Sequence, residues 1–264
     1  MTRAEPGELV ALLQGTPLVV MLDIDGTLCE IVERPDDAKV PPSATAALRA
    51  LNGLRSLGVY LAFVTGRSVA DARRMIDLDE VIIYGNHGME RLYPSGNIRE
   101  PDGWNSWGSS LREAARDIAE LIRGFPGAAL EDKQFSLTLH YRAMKPQLFA
   151  SLEARVGDIA RRHGLKARDG KQMMSIVPAG AFDKGDAVLE ILHECVPETS
   201  RSDASILFAG DDVTDEDAFA ALKQLPGAVT VRVGDASAAT AAKWSLATPM
   251  EVYQLLDLIL ESRR

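Results

Sequence analysis

Two cysteines, Cys29 and Cys195, are all that 264 residues contain. Their separation offers no metal-knot spacing and no disulfide framework, so a reducing cytoplasm is the expected setting. Basic residues are in short supply as well. Lys and Arg number 29 against 38 Asp and Glu, a net charge of −9. That balance excludes a general grip on nucleic acid or on an anionic membrane. It still permits an anionic substrate, which needs only a local cluster of cations. No apolar run reaches membrane-spanning length. The N-terminal apolar stretches are short and broken by Glu5, Glu8 and Gln14, which fits neither a signal peptide nor a membrane anchor. Internal repeats and low-complexity tracts are missing too. What remains is an ordinary globular composition, 46% hydrophobic and 25% charged, long enough for one large domain or two small ones.

The chain turns around one stretch, Val19-Val20-Met21-Leu22-Asp23-Ile24-Asp25-Gly26-Thr27. The apolar run from Pro17 to Leu22 reads as a buried parallel strand. On such a strand Asp23 and Asp25, two apart, point to the same side. Paired carboxylates at the end of a buried strand repel each other and are costly to desolvate. A cation between them removes both problems. A solvated turn would explain Gly26 but not the paired acids.

Further strands and helices alternate with this one. Residues 31–42 read as a loop. Ser43 is a plausible N-cap for a helix carrying Ala47, Leu48, Leu51 and Leu54, with Gly58 as its C-cap. Val59 to Val64 is a strand ending in Thr65-Gly66-Arg67-Ser68, followed by a helix through Met75 and Ile76. Val81 to Tyr84 is a third strand, ending in Gly85-Asn86-His87-Gly88. After the middle of the chain, Asp183-Lys184-Gly185 opens a helix through Leu192. Ser205 to Ala209 is a strand ending in Gly210-Asp211-Asp212, then come a helix over 214–225, a strand over 229–233 and an amphipathic helix over 252–260. The rhythm predicts an α/β protein, a doubly wound, mostly parallel Rossmann-like sheet.

Residues 97–180 break it. A helix over 109–123, a period-two strand over 135–141, a helix over 146–163 and short strands over 165–168 and 173–177 suggest an inserted α+β cap. Gly96 and Pro178-Ala179-Gly180 suit its hinges. The expected core domain is 1–96 with 181–264, and the cap is 97–180.

Four loops on one edge of the core sheet carry chemistry. They offer Asp23 and Asp25; Thr65 with the Gly66 amide; Lys184; and Asp211, Asp212 and Asp215. A hydroxyl, backbone amides and a lysine are what a phosphate needs. Clustered aspartates suit Mg²⁺. Singly, Thr65 reads equally as an N-cap, Lys184 as a solvated side chain, and the three aspartates as an acidic loop favouring a helix dipole.

In this order the four segments resemble the motifs of the haloacid dehalogenase superfamily. The resemblance implies phosphoryl transfer through an aspartyl phosphate. Asp23 would be the nucleophile and Asp25 the general acid, then base. Asp23, the Asp25 carbonyl and Asp211 would hold Mg²⁺, with Asp212 or Asp215 in support, while Thr65 and Lys184 would hold phosphoryl oxygens. An insert at this place marks a C2-type cap, a lid that supplies substrate contacts.

The cap narrows the resemblance. Glu131-Asp132-Lys133, Phe135 to Arg142, Gly170-Lys171 and Asn86-His87-Gly88 are similar to segments of the trehalose-6-phosphate phosphatase family. That similarity implies sugar or phosphate contacts from Glu131, Lys133, His140 and Lys171. It also puts Gly66, Arg67, Asn86 and His87 on the substrate side. Glu131 with Lys133 reads alternatively as an ordinary ion pair, His140 as a satisfied strand histidine and Arg67 as packing only. One departure stands out: Ser175 occupies the place of a family glutamate in Gly-Lys-x-x-x-Glu. The expected substrate is trehalose 6-phosphate, with another disaccharide, pseudo-disaccharide or glycosyl-glycerate phosphate as the alternative. A non-catalytic regulatory subunit is disfavoured, because both Asp23 and Asp25 are present. A cytoplasmic monomer acting on a small-molecule sugar phosphate is expected.

Overall fold

A computed structural model describes the chain except residues 33, 35, 36, 100–103, 171, 172, 236, 238 and 264; at 104–106, 169 and 170 it describes the backbone only. The chain divides into two compact units, Met1–Arg99 with Phe182–Arg264, and Glu100–Ala181.

The first unit is built on β2 (Leu18–Leu22). Every residue of this strand is buried, and its side chains alternate between two cores. Leu18, Val20 and Leu22 join one cluster, Val19 and Met21 the other. A strand apolar on both faces needs helices on both sides. One face carries α1 (Pro6–Leu12), α2 (Pro42–Asn52), α3 (Val69–Ile76) and α8 (Pro249–Ser262). The other carries α6 (Lys184–Cys195) and α7 (Asp215–Leu222).

Around β2 the sheet runs β1-β13-β12-β11-β2-β3-β4-β5-β6, nine strands among the described residues. These are β1 (Thr2–Arg3), β3 (Val59–Val64), β4 (Ile82–Gly85), β5 (Glu90–Leu92), β6 (Ile98–Arg99), β11 (Ser205–Gly210), β12 (Ala228–Val233) and β13 (Trp244–Leu246). All neighbours pair in parallel except β4 with β5 and β5 with β6. The sheet is therefore the doubly wound, mostly parallel one that the α/β rhythm predicts.

Several boundaries differ from expectation for local reasons. The first long helix starts at Pro42, with Pro41 rather than Ser43 at the N-cap. Proline suits that first position because its missing N–H has no helical partner there. The helix ends at Asn52, and Gly58, at φ 79°, closes a separate 3₁₀ turn. The short strands at the two ends of the sheet, β1, β13, β5 and β6, carry two to three residues each, too few for periodicity to register.

The second unit is a four-stranded antiparallel sheet, β7-β8-β10-β9. Its strands are β7 (Ala129–Asp132), β8 (Leu137–His140), β9 (Leu165–Gly170) and β10 (Met173–Pro178). Helices α4 (Trp104–Ile122) and α5 (Phe149–Arg162) cover one face, where Leu137, Leu139, Met174 and Ile176 meet Ile118, Leu152 and Val156. The helix expected over 109–123 begins five residues earlier, at Trp104. Among the described residues, no helix is long and apolar enough to cross a membrane.

Candidate active site

Ligands of open α/β sheets bind at the carboxyl ends of the strands, and four loops meet at that edge here. The first follows β2. The Asp23 amide still donates to Ala209 O at 2.9 Å, continuing the ladder, and Asp23 is 4% exposed. Beyond it the chain coils into a turn, with Leu28 N donating to Ile24 O at 2.8 Å. The strand has ended before Asp25, so the two acids part company. Asp25 is held by Arg67 through Nε to Oδ2 and Nη2 to Oδ1, both 2.6 Å. Gly26 sits at φ 74°, and a Cβ there would lie 2.2 Å from Asp211 Oδ2. Only glycine lets the first loop approach the fourth so closely.

The fourth loop is organised by Asp215, which is 0% exposed. Its Oδ2 accepts from the Asp211 and Asp212 amides at 3.0 and 2.9 Å. Its Oδ1 accepts from Lys184 Nζ at 2.7 Å, and the same ammonium donates to Asp23 Oδ1 at 2.9 Å. Gly210 makes room, since a Cβ there would stand 2.2 Å from Asp215 Cγ. Lys184 is the first residue of α6. Asp183 caps that helix, accepting from Asp186 N at 3.0 Å while Asp186 accepts in return from Asp183 N at 3.2 Å.

The second loop is stitched to the 85–88 loop that follows β4. Thr65 is buried, and His87 N donates to Thr65 O at 2.9 Å while Asn86 N donates to Arg67 O at 2.7 Å. The cap of α3 is Ser68, which accepts from Asp71 N at 3.1 Å. Thr65 is thus not the N-cap, and its Oγ1 accepts instead from Arg67 N at 3.2 Å. The His87 ring lies over Gly66, where a Cβ would be 2.7 Å from Cε1. Asn86 is buried and its Nδ2 donates to Glu90 Oε2 at 2.9 Å, an oxygen that also accepts from Val69 N at 2.8 Å. Glu90, unremarked in the sequence, therefore ties the loop after β4 to the start of α3. Only its position two residues past Gly88 could have signalled it.

Electrically the site is short of positive charge. Burial pushes the Asp23 carboxyl well above its usual range, opposed by Lys184 and reinforced by the Asp215 and Asp211 carboxylates. Burial alone would lower Lys184, but Asp215 and Asp23 more than offset it and hold the ammonium charged. Asp23, Asp211 and Asp215 each offer a carboxylate oxygen, and the three lie within 4.8 Å of one another. Three carboxylates against one ammonium, with oxygen donors only, fit a hard divalent cation. Asp25 and Asp212 lie outside that trio.

Within the second unit, His140 Nε2 and Glu131 Oε2 are 2.8 Å apart on neighbouring strands. Glu131, Thr138, Ser175 and Arg168 form one row across the sheet, in cross-strand register. They stand on the face opposite the helices. Lys133 holds the tight turn before β8, its amide donating to Ser136 O at 2.9 Å. Lys171 lies outside the described residues.

The sheet and its insert share their fold with a solved phosphatase of the haloacid dehalogenase superfamily from Bacteroides thetaiotaomicron, which superposes with a TM-score of 0.60 at 18% identity, covering 93% of this chain and 97% of that one. The trehalose-phosphatase family model matches residues 21–250, and the chain belongs to that family. A trehalose-phosphate phosphatase of Mycobacterium tuberculosis is 31% identical over 246 residues, covering 93% of this chain and 62% of that protein. An uncharacterized glycosyl hydrolase of the same species is 34% identical over 252 residues, 95% of this chain but 19% of that protein. The chain thus spans about three fifths of one relative and a fifth of the other. The trehalose-6-phosphate phosphatase C-terminal domain of C. albicans superposes with a TM-score of 0.84 at 23% identity, covering 98% of both chains, which is a likeness of fold.

Proposed function

We propose that this chain is a Mg²⁺-dependent phosphatase that hydrolyses trehalose 6-phosphate to trehalose and phosphate through an aspartyl phosphate on Asp23. The observation that carries the proposal is the buried Asp23–Lys184–Asp215 relay beside Asp211, in a chain of the trehalose-phosphatase family. Asp23, Asp211 and the Asp25 carbonyl would hold Mg²⁺, with Asp212 and Asp215 in support, and the bound ion would supply positive charge to the phosphoryl group.

Asp23 Oδ attacks phosphorus, and the bond from phosphorus to the sugar oxygen breaks. Asp25 delivers a proton to that leaving oxygen. It then takes a proton from the water that attacks the phosphorus of the aspartyl phosphate, releasing phosphate and restoring Asp23. Lys184, Thr65 and the Gly66 amide hold phosphoryl oxygens, so charge that develops in transfer meets groups already in place. Arg67 aims Asp25. Residues 1–96 with 181–264 act as the core and 97–180 as a C2-type cap, whose Glu131, Lys133, His140 and Lys171 contact the sugar; Asn86 and His87 shape the phosphate loop.

Ser175 supports a second reading, the same chemistry on another disaccharide, pseudo-disaccharide or glycosyl-glycerate phosphate. A serine in the Glu131–Thr138–Ser175–Arg168 row cannot clamp two hydroxyls as a carboxylate does. A panel of phosphorylated sugars compared by kcat/KM separates the readings. Trehalose 6-phosphate is expected to exceed glucose 6-phosphate by about 100-fold, the scale of a few well-made polar contacts. Equal rates would reject it as the substrate.

A further inference from the structure

Lys184 owes its place to α6, and α6 is gripped from outside the site. Arg91, on β5, is 6% exposed. Its Nη1 donates to Glu190 Oε1 at 2.5 Å, a turn and a half along the helix from Lys184. Its guanidinium also stacks on Phe182, 4.2 Å from the ring centre, and lies 5.6 Å from the Tyr84 ring. Phe182 is where the chain re-enters the first unit, and it immediately precedes the Asp183 cap. One side chain therefore touches α6 at both its entry and its second turn. Gly88 completes the seat: a Cβ there would lie 3.2 Å from Asp183 O and 3.4 Å from the Phe182 and Ala187 Cβ atoms.

This arrangement is poorly optimised for stability. Arg91 Nε, Glu190 Oε2 and Tyr84 OH are buried atoms with no hydrogen-bond partner among the described residues. Well-packed apolar groups of the same volume are commonly as stable as a buried ion pair, or more so. A part-buried pair that leaves two of its own polar atoms unsatisfied, beside the Tyr84 hydroxyl, calls for a reason other than stability. The reason on offer is position. Lys184 Nζ must lie between two carboxylates, 2.9 Å from Asp23 and 2.7 Å from Asp215, and it can do so only if α6 starts at a fixed point. Gly185, whose Cβ would be 2.7 Å from Asp217 O, lets α6 close on α7 but does not fix it along its axis.

We propose that Arg91 is a positioning residue for Lys184, acting through Phe182 and Glu190 to set the start of α6. Only the rate arm of its test rests on the phosphatase reading. The test is the double variant Arg91→Met/Glu190→Met, which replaces the ion pair by apolar groups of similar length, studied by crystallography, thermal melting and phosphate release. The variant is expected to melt no lower than the wild type. Lys184 Nζ is expected beyond about 3.5 Å, outside hydrogen-bond range, from at least one of Asp23 and Asp215. The rate constant kcat should fall about tenfold or more with KM within about twofold, as misplacement of a reacting group does. Phe182→Leu, which keeps the ion pair and removes the ring, should displace Lys184 in the same way, and it serves where the double variant fails to fold. Retention of both Lys184 contacts in the variants overturns the proposal whatever the rate. A wild type that releases no phosphate counts against the phosphatase reading alone, because the lysine's position is read independently.

Discussion

Asp215→Asn separates an organiser of the site from a ligand of the cation. Both oxygens of Asp215 are engaged, one by Lys184 and one by the Asp211 and Asp212 amides, and the residue is fully buried. In asparagine one of those oxygens becomes an NH₂. Whichever way it faces, a donor then meets either the ammonium or two amides. Removing one partner of a buried charged pair costs about 3–5 kcal/mol. Relief of the repulsion that the Asp215 carboxylate exerts on Asp23 returns part of this, so about 3 kcal/mol is expected. At about 2–4 °C per kcal/mol for a domain of this size, Tm falls by about 6–12 °C in metal-free buffer. Asp211→Asn should behave oppositely. It removes one of three crowded carboxylates, so the metal-free Tm stays or rises. What it loses is the response to Mg²⁺, which for the wild type at about 100 times Kd is worth roughly 2.7 kcal/mol. Differential scanning calorimetry of the two variants, with EDTA and with Mg²⁺, reads both effects. If Asp215→Asn melts within about 2 °C of the wild type without metal, Asp215 is no organiser and the reasoning fails.

Three further outcomes are expected. Gly26→Ala forces a Cβ to within 2.2 Å of Asp211 Oδ2 at a backbone φ of 74°, so the Mg²⁺-induced rise in Tm should vanish and phosphate release fall about 100-fold or more. Arg67→Lys keeps the charge but loses the two-pronged hold on Asp25, and kcat should drop about tenfold because a lysine cannot supply that fork; an unchanged kcat would show that Arg67 does not aim the acid. Burial pushes the Cys29 and Cys195 thiols up to about 12 and about 11. The folded chain then keeps protons that the unfolded chain loses above about pH 8.5, so these thiols erode stability as pH rises from there toward 11–12. Iodoacetamide at pH 8 should label neither cysteine until the protein is unfolded, as mass spectrometry would show.

The central sheet was readable because its strands are apolar on both faces and each ends in a polar, glycine-bearing loop. The four site segments were readable for the same reason: each lies next to a strand end or a helix start. What could not be read were relations across the fold. Period-two alternation put Asp23 and Asp25 on one side, but the strand stops at Leu22 and Asp25 turns to Arg67 instead. Thr65 looked like an N-cap as much as a phosphate ligand until Ser68 proved to cap α3. The Glu131–His140 contact joins different strands, and the local spacing of Glu131 and Lys133 pointed elsewhere. Arg91, Glu190 and Phe182 carry no motif at all; contacts spanning 99 residues along the chain bring the first two together.

In the proposed reaction Asp23 carries the phosphoryl group of trehalose 6-phosphate. The most direct measurement is phosphate release from that ester by the wild type and by Asp23→Asn in parallel, each with Mg²⁺ and then with excess EDTA. The wild type is expected to release phosphate with Mg²⁺ and to stop when it is chelated, while Asp23→Asn, folded by its circular dichroism, releases none in either condition. Steady turnover by a clean preparation of folded Asp23→Asn would contradict the claim.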